Sequence, residues 1–378
     1  MTLRVGLDAH MIGSRETGNE TYVLGLIDGF RTLEKDFELK VYHRTELDQN
    51  RSGHVRPRRL LSSSPWLRLG LELPWRSVQD RIDVLHTTYT APLWAACPLV
   101  VTVHDISYTQ HPEWFSPRHL SVLTRSVPWS MRRAARVITV SELCRAQIVE
   151  HYQMAPDKVV CIHNAAGPAA QPIEKAEAQH LVSELGIDPQ HTFVLAVGNL
   201  QPRKNLVRLI DALGRVNASG AGADLVIVGP EHYRADLVRE AASTVLDRVR
   251  FTGYLSHRQL AACYACATVF AFPSLFEGFG IPALEAMAHG TPVACARAGA
   301  LPEVCGDAAL YFDPLDVPAM AAALKRILED PQLRAQLAAA GRRREKQFTW
   351  HGAAEQTLDV YRAAAGHAGY REPRNDLN

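Results

Sequence analysis

Three things are scarce in this chain: long apolar runs, an excess of charge of one sign, and cysteines set out in pairs. No stretch approaches the roughly 20 apolar residues that a membrane-crossing helix needs. Met1-Thr2-Leu3-Arg4 passes straight into a strand pattern, so no signal peptide is expected and a cytoplasmic protein is. Lysines and arginines number 41 against 40 acids, a net charge of +1 that gives no reason to expect a nucleic acid as partner. The seven cysteines are odd in number and sit mostly inside apolar runs, as Cys161 and Cys295 do. That implies buried thiols in a reducing compartment. Cys263 and Cys266 form a C-x-x-C without a second ligand pair, and read as core packing rather than a metal or redox site. No D-x-D pair of acids occurs anywhere.

What is present is ample apolar material in a regular order. With 378 residues, 47% apolar and 21% charged, the chain suits two domains that each bury a core. Strand patterns at 3–8, 38–43, 83–86, 99–104, 136–140 and 158–162 alternate with helical ones, the first of them presenting Tyr22, Val23, Leu26, Ile27 and Phe30 on one face. This alternation implies an α/β fold with a parallel sheet covered on both faces, and ligands beyond the carboxyl ends of the strands. Residues 163–172 are small, polar and proline-containing, and read as the interdomain linker. The second half repeats the pattern, with a last helix from Trp350 to about Ala365 and a frayed tail over 366–378.

Within that frame the stretch 271–285 stands out. An apolar run ending at Phe272 stops at Pro273, a loop with two glycines follows, and Pro282 suits the first turn of a helix that Gly290 ends. Strand, glycine loop and helix N-terminus together make an anion site. Glu277 and Glu285 bracket it with seven residues between them. Carboxylates there make sense as acceptors for hydroxyls on either side of a phosphate. The plainer alternative is a solvated loop acid at 277 and a dipole-matching acid at 285. Gly198-Asn199-Leu200-Gln201-Pro202-Arg203-Lys204-Asn205 is a second strand end, with a cation pair aimed over the same crevice. After the first strand comes the polar loop 11–20, where Thr17 and Glu20 read as a capping box and Gly18 as a helix start a ligand can approach. His104 and Asp105 end another strand. Asp105 reads as orienting His104 or capping the turn, and Ser141 as the N-cap of 142–151.

Glu277, Gly278-Phe279-Gly280-Ile281-Pro282 and Glu285, with Ala286-Met287-Ala288-His289-Gly290-Thr291-Pro292-Val293 after them, resemble the E-x7-E signature of retaining GT-B glycosyltransferases of family 4. Pro202-Arg203-Lys204-Asn205 matches the same family, and the resemblance covers nearly the whole chain. It implies two Rossmann-like domains facing across a cleft. Residues 1–165 would bind the acceptor, 173–346 the nucleotide sugar, and helix 349–366 would pack back on the first domain. The implied catalytic residues are His104, Arg203, Lys204 and Glu277. The implied donor contacts are Gly18, Tyr254, Gly278, Phe279, Gly280, Ile281, Leu284 and Glu285, with Tyr254 near the base. Asn199 stands where some relatives have an arginine, leaving the phosphates to Arg203 and Lys204. With no D-x-D, neither a metal nor a cofactor is expected.

The implied reaction moves a hexose, first choice mannose from GDP-mannose, to a glycan or lipid-linked acceptor in polysaccharide or glycoconjugate assembly. A UDP-sugar donor is the alternative. A nucleotide-sugar epimerase or a non-catalytic sugar-binding protein would share the fold but not the charged set. Residues 51–145 hold thirteen arginines against six acids, with Trp66, Trp75, Trp114 and Trp129 among them. That mixture suits peripheral contact with the inner face of a membrane; a solvated basic face with buried tryptophans is the alternative.

Overall fold

The computed structural model describes residues 2–13, 17–34, 36–45, 53–220 and 222–366. Of the tail read as frayed, all but Gly366 lies outside these. The described residues form two compact units: one within Met1–Gln110, Pro117–Asn164 and Thr349–Asn378, the other within His111–Ser116 and Ala165–Phe348.

The first unit is built on seven strands: β1 (Leu3–Asp8), β2 (Phe37–His43), β3 (Val55–Arg59), β4 (Val84–Thr88), β5 (Leu99–Thr102), β6 (Arg136–Thr139) and β7 (Val159–Cys161). They pair in parallel in the order β3-β2-β1-β4-β5-β6-β7. The second unit has β8 (Phe193–Val197), β9 (Asp224–Val228), β10 (Val249–Gly253), β11 (Val269–Phe272), β12 (Val293–Ala296) and β13 (Ala309–Phe312). Their order is β10-β9-β8-β11-β12-β13, again parallel. Central strands such as Leu225–Val228 and Val269–Phe272 are buried along their length, as helices on both faces require. In each sheet the order reverses beside the first strand. The crevice this leaves lies at the carboxyl ends of β1 and β4, and of β8 and β11.

One strand was not expected. β3 reads Val-Arg-Pro-Arg-Arg, and Pro57 with three arginines argues against a strand. The sheet order explains it, because an edge strand tolerates a missing N–H and gains from charge. Arg56 and Arg58 pair with Glu38 and Asp80. The stretch read as a linker is also different in kind. Residues 168–170 form a short turn of helix, and Ala169 is fully buried against the helices His257–Cys266 and Ile281–His289 of its own unit.

Helix Thr17–Arg31 buries the expected face. Glu20 accepts the Gly13 N–H at 2.7 Å, while the Thr17 side chain, the other half of the expected capping box, lies outside the description. Ser141 does cap Glu142–Tyr152, accepting the Cys144 N–H. Cys263 is buried, and burial pushes its thiol up to about 12, which fits a packing role. No described helix is long and apolar enough to cross a membrane.

The last helix, Trp350–Ala364, lies on helix Thr17–Arg31 within the first unit. Gly25 and Gly29, one turn apart, permit it: a Cβ at Gly25 would run into the Trp350 ring, and one at Gly29 into the Trp350 carbonyl oxygen. Backbone cannot yield as a side chain can. Gly29→Ala should therefore destabilise the protein by about 1–3 kcal/mol, as overpacking does. Gly214→Ala, in helix Leu206–Ala218 with open space around it, should stabilise by up to about 1 kcal/mol. Thermal unfolding of the two variants checks the opposite signs.

Candidate active site

The expected residues divide between the units: Gly18 and His104 lie in the first, and the others in the second. In the second unit, β8 ends and Gly198 turns the chain with φ +146°. A Cβ there would lie 2.7 Å from Lys204 Cε. Pro202–Lys204 form a helical turn, and Asn205, at φ +56°, opens helix Leu206–Ala218. Asn205 Nδ2 donates to the carbonyls of Pro273 and Pro314, and Leu275 N–H to the Arg203 carbonyl, so this turn is laced to the loop after β11.

Glu277 is the centre of that lacing. Arg203 Nη1 donates to its Oε2 at 2.8 Å and to the Phe276 carbonyl at 2.8 Å, and Lys204 Nζ donates to its Oε1 at 2.7 Å. Ala300 N–H donates to its carbonyl at 2.9 Å. A Cβ at Gly299 would come 2.5 Å from the same oxygen, so only glycine fits there. Burial alone would raise the carboxyl, but the Arg203 and Lys204 charges outweigh it and hold the group at about 2. Glu277 is therefore no solvated loop acid, and Arg203–Lys204 no solvated basic turn. Lys204 itself is 9% exposed, with Nζ 5.2 Å from the centre of the Phe272 ring.

The helix after the loop, Ile281–His289, starts at Gly280 (φ +117°) without a side-chain cap, has Pro282 in its first turn, and is closed by Gly290 (φ +74°). Its N-terminus thus retains the partial positive charge that suits an anion. Phe279 turns inward, edge-on to Phe348 at 5.6 Å. Leu284 is wholly buried, so any ligand contact from it would come from backbone. Glu285 is also buried, but among uncharged groups. Its Oε2 accepts the Tyr264 hydroxyl at 3.0 Å, and Ala169 supplies a backbone hydrogen bond. Burial outweighs both bonds and pushes the carboxyl up to about 7. Tyr254 is half-exposed after Gly253, and Asn199 Oδ1 is buried without a hydrogen-bond partner among the described residues.

In the first unit, His104 follows β5. Tyr22 meets its ring edge-on at 4.8 Å, Tyr89 lies tilted against it at 5.6 Å, and its Nε2 is buried without a hydrogen-bond partner among the described residues. Burial lowers it to about 4 against the pull of Asp105, so the ring is neutral at pH 7. Asp105 caps the turn, accepting the Ser107 N–H and hydroxyl. Beneath His104 runs a buried chain: Tyr361 hydroxyl to His86 Nδ1 (2.6 Å), His86 Nε2 to Thr102 Oγ1 (2.7 Å), and Thr102 to the Tyr22 hydroxyl (2.9 Å). Gly18 is exposed, with no described atom within 4 Å of a Cβ placed on it.

Two features at this switch point were missed. Tyr89, after β4, holds φ +57°, a strained backbone for a tyrosine. Asp8, at the end of β1, is buried and ion-paired to Arg68, which also donates to His10 Nδ1 at 2.7 Å. Burial would raise Asp8, but the Arg68 guanidinium beside it brings it to about 2. An acid continuing an apolar strand was a usable signal, whereas a partner 60 residues away was not.

Residues 17–168 match the family model "Glycosyltransferase Family 4" and residues 178–344 the model "Glycosyl transferases group 1". The O-antigen chain mannosyltransferase B of Escherichia coli is 29% identical over 92% of this chain and 96% of its own. A glycogen synthase of Mycobacterium tuberculosis is 30% identical over 82% of this chain and 74% of its own. Among solved structures, a sucrose-phosphate synthase from Thermosynechococcus elongatus superposes with TM-score 0.75 at 21% identity, covering 96% of this chain and 98% of that one. HepE of Anabaena, solved with UDP and glucose, superposes with TM-score 0.72 at 22% identity, covering 96% and 100%. The chain belongs to the family 4 glycosyltransferases and has their GT-B fold of two Rossmann-like domains.

Proposed function

We propose that this glycosyltransferase moves mannose from GDP-mannose, with retention at the anomeric carbon and without a metal, to a glycan or lipid-linked acceptor in polysaccharide or glycoconjugate assembly. The observation that carries the reading is the Arg203–Lys204–Glu277 cluster at the β8–β11 switch point. Cleaving the sugar–phosphate bond builds negative charge on the departing diphosphate. Two cations held in place by a buried carboxylate meet that charge without reorganising, beside an uncapped helix N-terminus. The absence of a D-x-D pair supports metal independence. Glu277 positions the cations and keeps lone pairs for a sugar hydroxyl, while Glu285 accepts from ribose. His104, whose Nε2 has no partner among the described residues, offers one hydrogen bond to the transferred sugar. Mannose comes first because the mannosyltransferase match spans nearly all of both chains, and HepE of Anabaena, solved with UDP and glucose, keeps a UDP-sugar in the test.

Melting with GDP, UDP, ADP and dTDP reads the donor base. At about 100 times its dissociation constant the right nucleotide should stabilise by about 2.7 kcal/mol. Stabilisation by UDP and not GDP would move the assignment. Turnover abolished by EDTA and restored by magnesium would refute metal independence, and an inverted anomer would refute retention.

Lys204→Ala should lower kcat by about 10²–10³. It should not be structurally silent, because it leaves a buried carboxylate one partner short, and breaking a buried pair costs up to about 3–5 kcal/mol. Arg203→Lys should also lower kcat, since a point charge cannot serve Glu277 and the Phe276 carbonyl together. Kinetics below each variant's melting range separate rate from stability. Turnover of Lys204→Ala within a few-fold of wild type would sink the assignment.

Glu285 gives a pH test. Its carboxyl is raised in the fold, so its contribution favours the folded state below about pH 4.5 and is lost as pH rises to about 7. Glu285→Gln should therefore melt higher than wild type at pH 8, by at most on the order of 3 kcal/mol, and no higher at pH 4.5. The same variant should weaken nucleotide binding with little change in kcat. A stability difference independent of pH would contradict the environment described for this residue.

A further inference from the structure

Of the six tryptophans, four are exposed, and all four lie on connected elements of the first unit. Helix 65–79 contains a π-turn at Arg68–Glu72, where Leu73 N–H reaches back to the Arg68 carbonyl. The extra residue puts Arg68 inward, onto Asp8, and leaves an outward stripe of Leu67, Leu71, Trp75 and Val78. Trp66, 83% exposed, adjoins the stripe. Leu61, 84% exposed, is tied to it by Glu72, whose two oxygens accept the N–H groups of Leu61 and Ser62. The loop with exposed Leu93 and Trp94 is bonded to this helix by Leu93 N–H to the Leu69 carbonyl. It is bonded to helix Pro117–Arg133 by Arg133, which donates to the carbonyls of Pro92 and Leu93. On that second helix Trp129 is exposed, with Arg133 stacked over it at 4.6 Å. Trp114, part of the tryptophan set read from the sequence, is buried in the second unit, and Trp94 takes its place.

Charge accompanies this apolar surface. Helix Pro117–Arg133 carries exposed Arg118, Arg125, Arg132 and Arg133 and no acid at all. The one acid in helix 65–79, Glu72, is occupied by backbone. We infer that this face, with Leu61, Trp66, Leu71, Trp75, Trp94 and Trp129 entering and the arginines around them, docks on an anionic lipid surface. Indole rings suit the boundary between headgroup and acyl chain, and guanidinium forks suit lipid phosphates. A second copy is the poorer occupant, since a two-fold interface would set the arginines against themselves. The inference deepens the lipid-linked acceptor reading and rests on it for its use. Arg68 ties the docking helix to Asp8 at the carboxyl end of β1, in the unit proposed to bind that acceptor.

Full-length protein is sedimented with vesicles of phosphatidylcholine alone and of phosphatidylcholine mixed with phosphatidylglycerol, at low and high salt. Binding is expected to the mixed vesicles at low salt, with a blue shift of tryptophan emission, and to weaken at high salt. Arg125→Ala or Arg132→Ala should each weaken it about fivefold. Trp66→Glu combined with Trp75→Glu should abolish it without shifting the melting temperature, because both side chains are exposed. Leu315→Glu, an exposed apolar position in the second unit, should bind as wild type does. Wild-type protein left in the supernatant with mixed vesicles, or a tryptophan double variant that still binds, overturns the assignment. So does a concentration-dependent dimer, lost in that variant, without vesicle binding. No turnover is needed, so failed docking is distinguished from a failed donor assignment, which the nucleotide melts read.

Discussion

A carboxylate shut away from water must either lose its charge or be held by cations, and Glu277 is held by two. That constraint organises the second unit's switch point. Arg203 and Lys204 can reach Glu277 only if the turn after β8 lies against the loop after β11. The bonds from Leu275, Asn205 and Ala300 fix that approach. Glycine is required where backbones come closest, at Gly229 and Gly299. Two adjacent cations would repel each other if left alone. The carboxylate lets both sit within one small volume and still leaves a net positive charge for a diphosphate.

Glu277 and Glu285 show how little a residue letter says about its state. Both are buried, yet one is held at about 2 and the other near 7. Paired cations make the difference at the first; a tyrosine hydroxyl and a backbone group are too weak to do the same at the second. One carboxylate is permanently charged, and the other gains or loses its proton near neutral pH. The same reasoning covers His104, whose ring is kept neutral at pH 7 by burial.

Much of this was legible in the residues. Alternating strand and helix patterns placed twelve of the thirteen strands, and the glycine loop with its two glutamates led to the second unit's switch point. β3 was not legible because an edge position, not a propensity, excuses Pro57. Composition suggested a linker at 163–172, and the division between the units falls there, after Asn164; that Ala169 packs as a buried neighbour of Glu285 was not legible. The burial of Lys204 was not legible, because the sequence cannot show that its partner lies 73 residues away. Tyr89 gave no sign of its backbone strain, which the surrounding sheet imposes.

The return of the last helix to the first unit also sets an order of assembly. Tyr361 bonds His86 and stacks on Phe30, while Trp350 fills the notch left by Gly25 and Gly29. Both residues follow the second unit in the chain. The whole of the second unit emerges before them, so the first unit can close only after the second has been made. Until then the apolar face of Tyr22, Leu26 and Phe30 lacks its cover, and nascent chains pass through a stage open to aggregation. A chain cut after residue 348 would keep all of the second unit's sequence and leave the first unit without its covering helix.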